Sequence, residues 1–161
     1  MTDLVVEVCS REEAGAILSA ADSGVSFLIS IGEAQDAVPA GYANVAEKIR
    51  LTFADSYDET GATDAHVQQI IDAARSLAAR SLATRPGRVL IHCQAGVSRS
   101  SAAAFIIHAV LLGPGHEEEA LARVIEQRPI ARPNRRMLEI ADRLLGRGGA
   151  LTAALDAQGM R

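Results

Sequence analysis

The stretch Arg88-Val89-Leu90-Ile91-His92-Cys93-Gln94-Ala95-Gly96-Val97-Ser98-Arg99-Ser100 passes from a short apolar run, through a loop of small and polar residues, into a run of helix formers. Three branched or long apolar residues in succession, Val89 to Ile91, suit a strand buried on both faces, as in a parallel sheet. Ser100 to Leu112 reads as a helix, stopped by Gly113-Pro114-Gly115. Strand, loop and helix in that order form the unit of a parallel α/β sheet, and ligands bind such sheets outside the carboxyl ends of the strands. His92 to Ser100 therefore lies at the edge where function is expected.

The flanking sequence repeats the alternation. Leu4 to Val8 reads as a strand, and Ser10 with Glu13 forms a capping-box pattern that opens a helix towards Ala21. Val25 to Ile31 reads as a buried strand, residues 32–46 as a loop, and Ile49 to Phe53 as a further strand. Ala54 to Gly61 is a polar loop. Asp64 is placed to cap a helix whose apolar positions Val67, Ile70, Ile71, Ala74 and Leu77 keep the helical period, ending before Arg85-Pro86-Gly87. Two helices follow, His116 to Gln127 and Asn134 to Leu145. The expected fold is α/β, with a central, mainly parallel sheet flanked by helices.

The chain has 161 residues, enough for one domain over 1–161 with a core of its own; 146–161 reads either as a last helix or as a loosely attached tail. A net charge of -4 argues against non-specific nucleic-acid binding, which needs a dense basic surface. Cys9 and Cys93 do not make a disulfide framework or a zinc pattern, and His66, His108 and His116 lack metal-ligand spacing, so no metal or other cofactor is expected. Met1-Thr2-Asp3 leads into the first strand without a basic-plus-apolar leader, and Ala102 to Leu112 is too short to span a bilayer. A reducing cytoplasm is the expected location; the oligomeric state is open.

The loop carries the chemistry. A thiolate is best tolerated at the start of a helix, where free N–H groups and the helix dipole converge. Those donors also suit the oxygens of a phosphate dianion. The five residues Gln94, Ala95, Gly96, Val97 and Ser98 can wrap their amides around one phosphate, and Arg99 can grip two oxygens with its planar fork. Gly96 permits a conformation that a Cβ would oppose. The Ser100 hydroxyl stands where it can hydrogen-bond the sulfur, and His92, buried under the loop, can orient it.

His92-Cys93-x-x-Gly96-x-Ser98-Arg99-Ser100 resembles the active-site loop of the protein tyrosine phosphatases, and more narrowly their dual-specificity-like branch, since the larger members usually carry Gly before the arginine. The resemblance implies a phosphotyrosine-phosphatase-like fold and a metal-independent hydrolysis of phosphomonoesters in two steps. Cys93 is then the nucleophile, Arg99 and the loop amides hold the phosphate, and Ser100 eases departure of the sulfur. It also implies an Asp, upstream on a loop, as acid and then base. Asp55 directly follows a strand, where that acid usually sits; Asp58 fits the expected separation from Cys93 better; Asp64 also suits a helix cap. Arg132-Pro133-Asn134 resembles the downstream motif in which Asn134 braces the loop, although Asn134 is equally a helix N-cap. Arg132, Arg135 and Arg136 are candidates for drawing a phosphorylated substrate to the mouth. The implied partner is a phosphorylated protein or small phosphomonoester, phosphotyrosine first. A loop interior without lysine favours this over a phosphoinositide. A non-catalytic phosphate-binding module and a sulfurtransferase are the competing classes.

Overall fold

The structure, a computed structural model, describes residues 4–81 and 87–160. Four strands, β1 (Val5–Ser10), β2 (Val25–Gly32), β3 (Lys48–Thr52) and β4 (Arg88–Cys93), form one sheet in the order β1-β4-β2-β3, every pairing parallel. Six helices accompany them: α1 (Arg11–Ser19), α2 (Asp64–Ser81), α3 (Arg99–Leu112), α4 (Glu117–Gln127), α5 (Arg135–Leu145) and α6 (Ala150–Ala157). The expected elements are present with small shifts at their ends. β1 runs on to Ser10, so Ser10 ends a strand and caps α1 at once, its hydroxyl accepting from the Glu13 N–H while the Glu13 carboxylate accepts from the Ser10 N–H. The break expected at Arg85 and Pro86 lies outside the described residues.

Side chains alternate across the strands and divide the core in two. Val89, Ile91 and Cys93 join Phe27, Ile29, Ile31 and Leu51 on one face, beneath α2 to α6. Leu28, Leu90 and Cys9 face the other way, beneath Ala14 and Leu18 of α1 and Val45. The two cysteines therefore lie in different core layers, and both are free. α3 is the central helix. From Arg99 to Ala109 every residue is buried, which explains an apolar run with no helical stripe.

One expected cap moves. Asp64 is the first residue of α2, and the cap is Thr63, whose hydroxyl accepts from the His66 N–H at 3.4 Å while His66 Nδ1 accepts from the Thr63 N–H at 3.0 Å. Asp64 instead meets Arg143 of α5 at 2.6 Å.

Residues 146–160 fold back onto the body. Leu151, Ala154, Leu155 and Met160 are buried, and Asp142 of α5 accepts from the N–H groups of Leu151 and Thr152, satisfying donors at the start of α6. Arg147 reaches under α3 to donate to the Ala109 carbonyl and meets Glu117 at 2.6 Å, with both side chains more than nine-tenths buried. A buried charge left without its partner is strongly unfavourable, so Arg147→Ala should lower the unfolding free energy by about 3 kcal/mol. Urea unfolding measures it. Adding Glu117→Gln should recover part of the loss; a single variant with the wild-type midpoint would refute the role of the pair.

Candidate active site

β4 ends on Cys93, and α3 begins on Arg99, so the loop between them closes in five residues at the carboxyl edge of the sheet. Gly96 makes the tight return, with φ +69°, and packs so closely on β1 that an added Cβ would lie 2.5 Å from the Cys9 carbonyl carbon. Gln94 and Ala95 stand exposed at the lip, Val97 is half-buried, and Ser98 precedes the helix.

Every carbonyl from Cys93 to Ser98 is engaged by a donor. His92 Nδ1 donates to Cys93 O at 3.1 Å, and the Arg11 N–H to Gln94 O at 3.2 Å. Arg128, at the end of α4, donates through Nη2 to Ala95 O at 3.1 Å and through Nε to Gly96 O at 3.0 Å. The Arg132 N–H takes Val97 O at 2.7 Å, and the Asn134 N–H takes Ser98 O at 3.1 Å. With the carbonyls committed, N–H groups of Gly96, Val97 and Ser100 are directed to the Cys93 sulfur.

The thiol sits in this ring, 3% exposed. Burial, the largest influence, disfavours its charge; the Ser100 hydroxyl at 3.0 Å and the N–H groups of Ser100, Gly96 and Val97 outweigh it, and the thiol is held below its ordinary value of 9.0. At Cys9 burial, with nearby Glu13, dominates and pushes the thiol up to about 12. Of the two thiols, Cys93 is lowered and Cys9 raised. The start of α3 reinforces the contrast: its first turn carries no acidic residue, and Ser98 makes no side-chain cap.

Arg99 is 5% exposed, its Nη1 donating to the Phe53 carbonyl at 2.8 Å, while its Nε is buried without a hydrogen-bond partner. A buried guanidinium N–H left unpaired is costly, and an anion over the loop would satisfy it.

Of the three candidate acids, one reaches the loop. Asp55 Oδ1 accepts from Ser98 Oγ at 2.7 Å and from Asn134 Nδ2 at 2.9 Å. Asp58 is turned into its own loop, where the Thr60 hydroxyl, the Ser56 hydroxyl and the Thr60 N–H hold it ionised, down to about 2. Asp64 is paired with Arg143, which lowers it as well. Asn134 caps α5, its Oδ1 accepting from the Met137 N–H, while its Nδ2 donates to Asp55 and its backbone N–H to the Ser98 carbonyl. The arginine run divides: Arg132 is exposed beside the loop, Arg135 pairs with Asp156, and Arg136 donates to Ala62 O and Tyr57 O, fastening the Asp55 loop to α5.

His92 is fully buried and held neutral, its proton affinity lowered to about 4, mainly by desolvation. Its Nε2 meets Ser30 Oγ at 2.6 Å. Arg128 and Ser30 carry no local motif and escape a reading of the sequence, and Glu13 is legible there only as part of the capping box; Arg128 is anchored by Glu13 at 3.0 Å, a partner 115 positions away.

Buried neutral histidines make folding sensitive to acid. His92 and His108 are both lowered from 6.5 to about 4 by burial, so between those values the unfolded chain binds protons that the folded chain does not. The unfolding free energy should fall as pH drops below 6.5, approaching about 1.4 kcal/mol per pH unit for each histidine. Urea midpoints between pH 6.5 and 5 would measure it; a flat profile there would contradict the burial of both rings.

No family model matches the chain, and no curated protein matches it by sequence. Solved structures do match in fold. Human DUSP28 is 22% identical over 95% of this chain and 94% of its own, with a TM-score of 0.66. The phosphatase domain of Yvh1 from Chaetomium thermophilum is 20% identical over 94% and 95%, with a TM-score of 0.64. PTPMT1, solved in complex with PI(5)P, is 17% identical over 96% and 94%, with a TM-score of 0.62. The chain has the phosphotyrosine-phosphatase-like α/β fold of the small dual-specificity phosphatases.

Proposed function

We propose that this chain is a cysteine-dependent phosphatase of the dual-specificity-like branch, hydrolysing phosphomonoesters through a phosphocysteine. The observation that carries the reading is a thiol lowered by inward N–H groups in a loop whose carbonyls are all committed elsewhere. The same N–H groups, with the unpaired Nε of Arg99, suit the equatorial oxygens of a phosphoryl group.

In the first step the Cys93 thiolate attacks phosphorus, the S–P bond forms, and the bond to the leaving oxygen breaks. Asp55 gives that oxygen its proton. In the second step water attacks phosphorus and yields its proton to Asp55, the S–P bond breaks, and inorganic phosphate departs. Ser100, hydrogen-bonded to the sulfur, favours the thiolate as leaving group. Asp55 is preferred over Asp58 because it adjoins the loop through Ser98, whereas Asp58 is committed to its own turn and stays charged.

The preferred substrate is phosphotyrosine in proteins, with phosphoserine and phosphothreonine as further candidates. One neighbour in fold was solved with PI(5)P. Here the loop interior, Gln94 to Ser98, has no cation to meet additional phosphates, which favours the protein substrate.

Hydrolysis of an aryl phosphate in the presence of chelator tests the reaction. Cys93→Ser should abolish turnover while leaving phosphate binding intact; wild type no faster than this variant would overturn the enzyme reading in favour of a phosphate-binding module. Asp55→Ala should lower kcat by about 10²-fold or more, and Asp58→Ala by less than about threefold, on the scale of general acid–base contributions. The opposite order would transfer the acid to Asp58.

A further inference from the structure

The parallel register puts three polar side chains in a row across the sheet, on the face away from Cys93. Arg50 of β3 is opposite Ser30 of β2, and Ser30 is opposite His92 of β4. Hydrogen bonds join them: Arg50 Nη1 to Ser30 Oγ at 2.9 Å, Ser30 Oγ to His92 Nε2 at 2.6 Å, and His92 Nδ1 to Cys93 O at 3.1 Å. Ser30 and His92 are fully buried.

Chemistry gives this chain one direction. A carbonyl oxygen only accepts, so His92 must donate from Nδ1, and Nε2 must then accept from the Ser30 hydroxyl if the ring is neutral. A guanidinium only donates, so Arg50 takes one of the two lone pairs of Ser30 and leaves the hydroxyl its proton and a single lone pair for His92, weighting the contact towards donation. Without Arg50 both lone pairs are open, and acceptance from Nε2–H gains weight against donation to it. The other tautomer would then present a lone pair of Nδ1 to the Cys93 carbonyl and release the entrance of the loop.

Arg50 is built into this position. Its Nη2 donates to Asp36 O at 3.1 Å, and a Cβ on Gly32 would lie 2.8 Å from that nitrogen, so the end of β2 leaves room for the guanidinium. The other charged groups that His92 feels are Arg11 at the start of α1 and Arg99 at the start of α3, which, like Arg50, oppose its protonation. Around Cys93 stand Arg99 and Ser100 of α3, Cys9 of β1, Arg128 behind the loop with its partner Glu13, and Asp55 through Ser98.

We propose that Arg50 is a positioning residue for the phosphatase reaction, fixing through Ser30 the His92 tautomer that anchors the Cys93 carbonyl and thereby the N–H ring around the thiolate. The role in turnover rests on the function proposed above; the tautomer and the thiol reactivity are measurable without it.

The test uses ¹⁵N NMR of the imidazole at pH 7 and the pH profile of Cys93 alkylation by iodoacetamide, read on the Cys93 peptide by mass spectrometry. Wild type should show protonated Nδ1 and unprotonated Nε2. In Arg50→Met the Nε2–H tautomer should appear, and the alkylation midpoint should rise by about half a pH unit, roughly threefold slower labelling below it. Arg50→Lys should restore most of both. Ser30→Ala should shift alkylation in the same sense, and the double variant no further than either single one, because both cut the same chain. If Ser30→Ala fails to fold, the two Arg50 variants decide alone. An undiluted Nδ1–H tautomer in Arg50→Met, or an alkylation profile that stays with wild type, overturns the proposal. If both shifts appear in a chain without phosphatase activity, the relay stands and the proposed function falls.

Discussion

The site depends on where six carbonyl groups go. A loop of five residues between a strand and a helix can direct its N–H groups to a common centre only if its carbonyls find donors elsewhere, since a buried backbone oxygen left unpaired is costly. Here His92, Arg11, Arg128, Arg132 and Asn134 supply those donors. The N–H groups are thereby left for a negative charge, first the sulfur and, in the proposed reaction, the phosphoryl oxygens. Electrostatics and packing act together, because burying Cys93 alone would push its thiol upward, as burial does to Cys9.

That arrangement requires parts far apart in sequence to share one edge. Parallel strands all end on the same side, so the end of β1 carries Ser10 and α1, the end of β3 leads to Asp55, and the end of β4 carries the thiol. The start of α5 closes the assembly. Asn134 caps that helix with its oxygen and spends its nitrogens on Asp55 and Ser98, so the Asp55 loop and the Cys93 loop are fastened at one point. Arg136 adds a second tie to the same loop. Asp55 is thus held against the loop's last residue before the arginine.

The strands, the capping box at Ser10 and Glu13, the helix periods and the loop from His92 to Ser100 are local patterns, and local physics suffices to read them. Spacing alone also brought Cys93, Arg99 and Ser100 together, because they lie on one strand end, one tight loop and the first turn of one helix. Three aspartates within ten positions competed as acid, Asp55 favoured by its place after the strand, Asp58 by its separation from Cys93, and Asp64 better placed as a helix cap. Their environments separated them: Asp58 folds onto Ser56 and Thr60, Asp64 onto Arg143, and Asp55 onto Ser98 and Asn134.

The sequence by itself therefore determined the fold class and the strand–loop–helix passage that holds Cys93, Arg99 and Ser100 together, since each is written in local patterns. Only the tertiary structure decided which Asp adjoins the loop, that Arg128 holds two of its carbonyls, and that Arg50, Ser30 and His92 stand in one row. Those contacts are set by strand register and by helix packing over separations of 20 to 62 residues, and no pattern of neighbouring residues encodes a register.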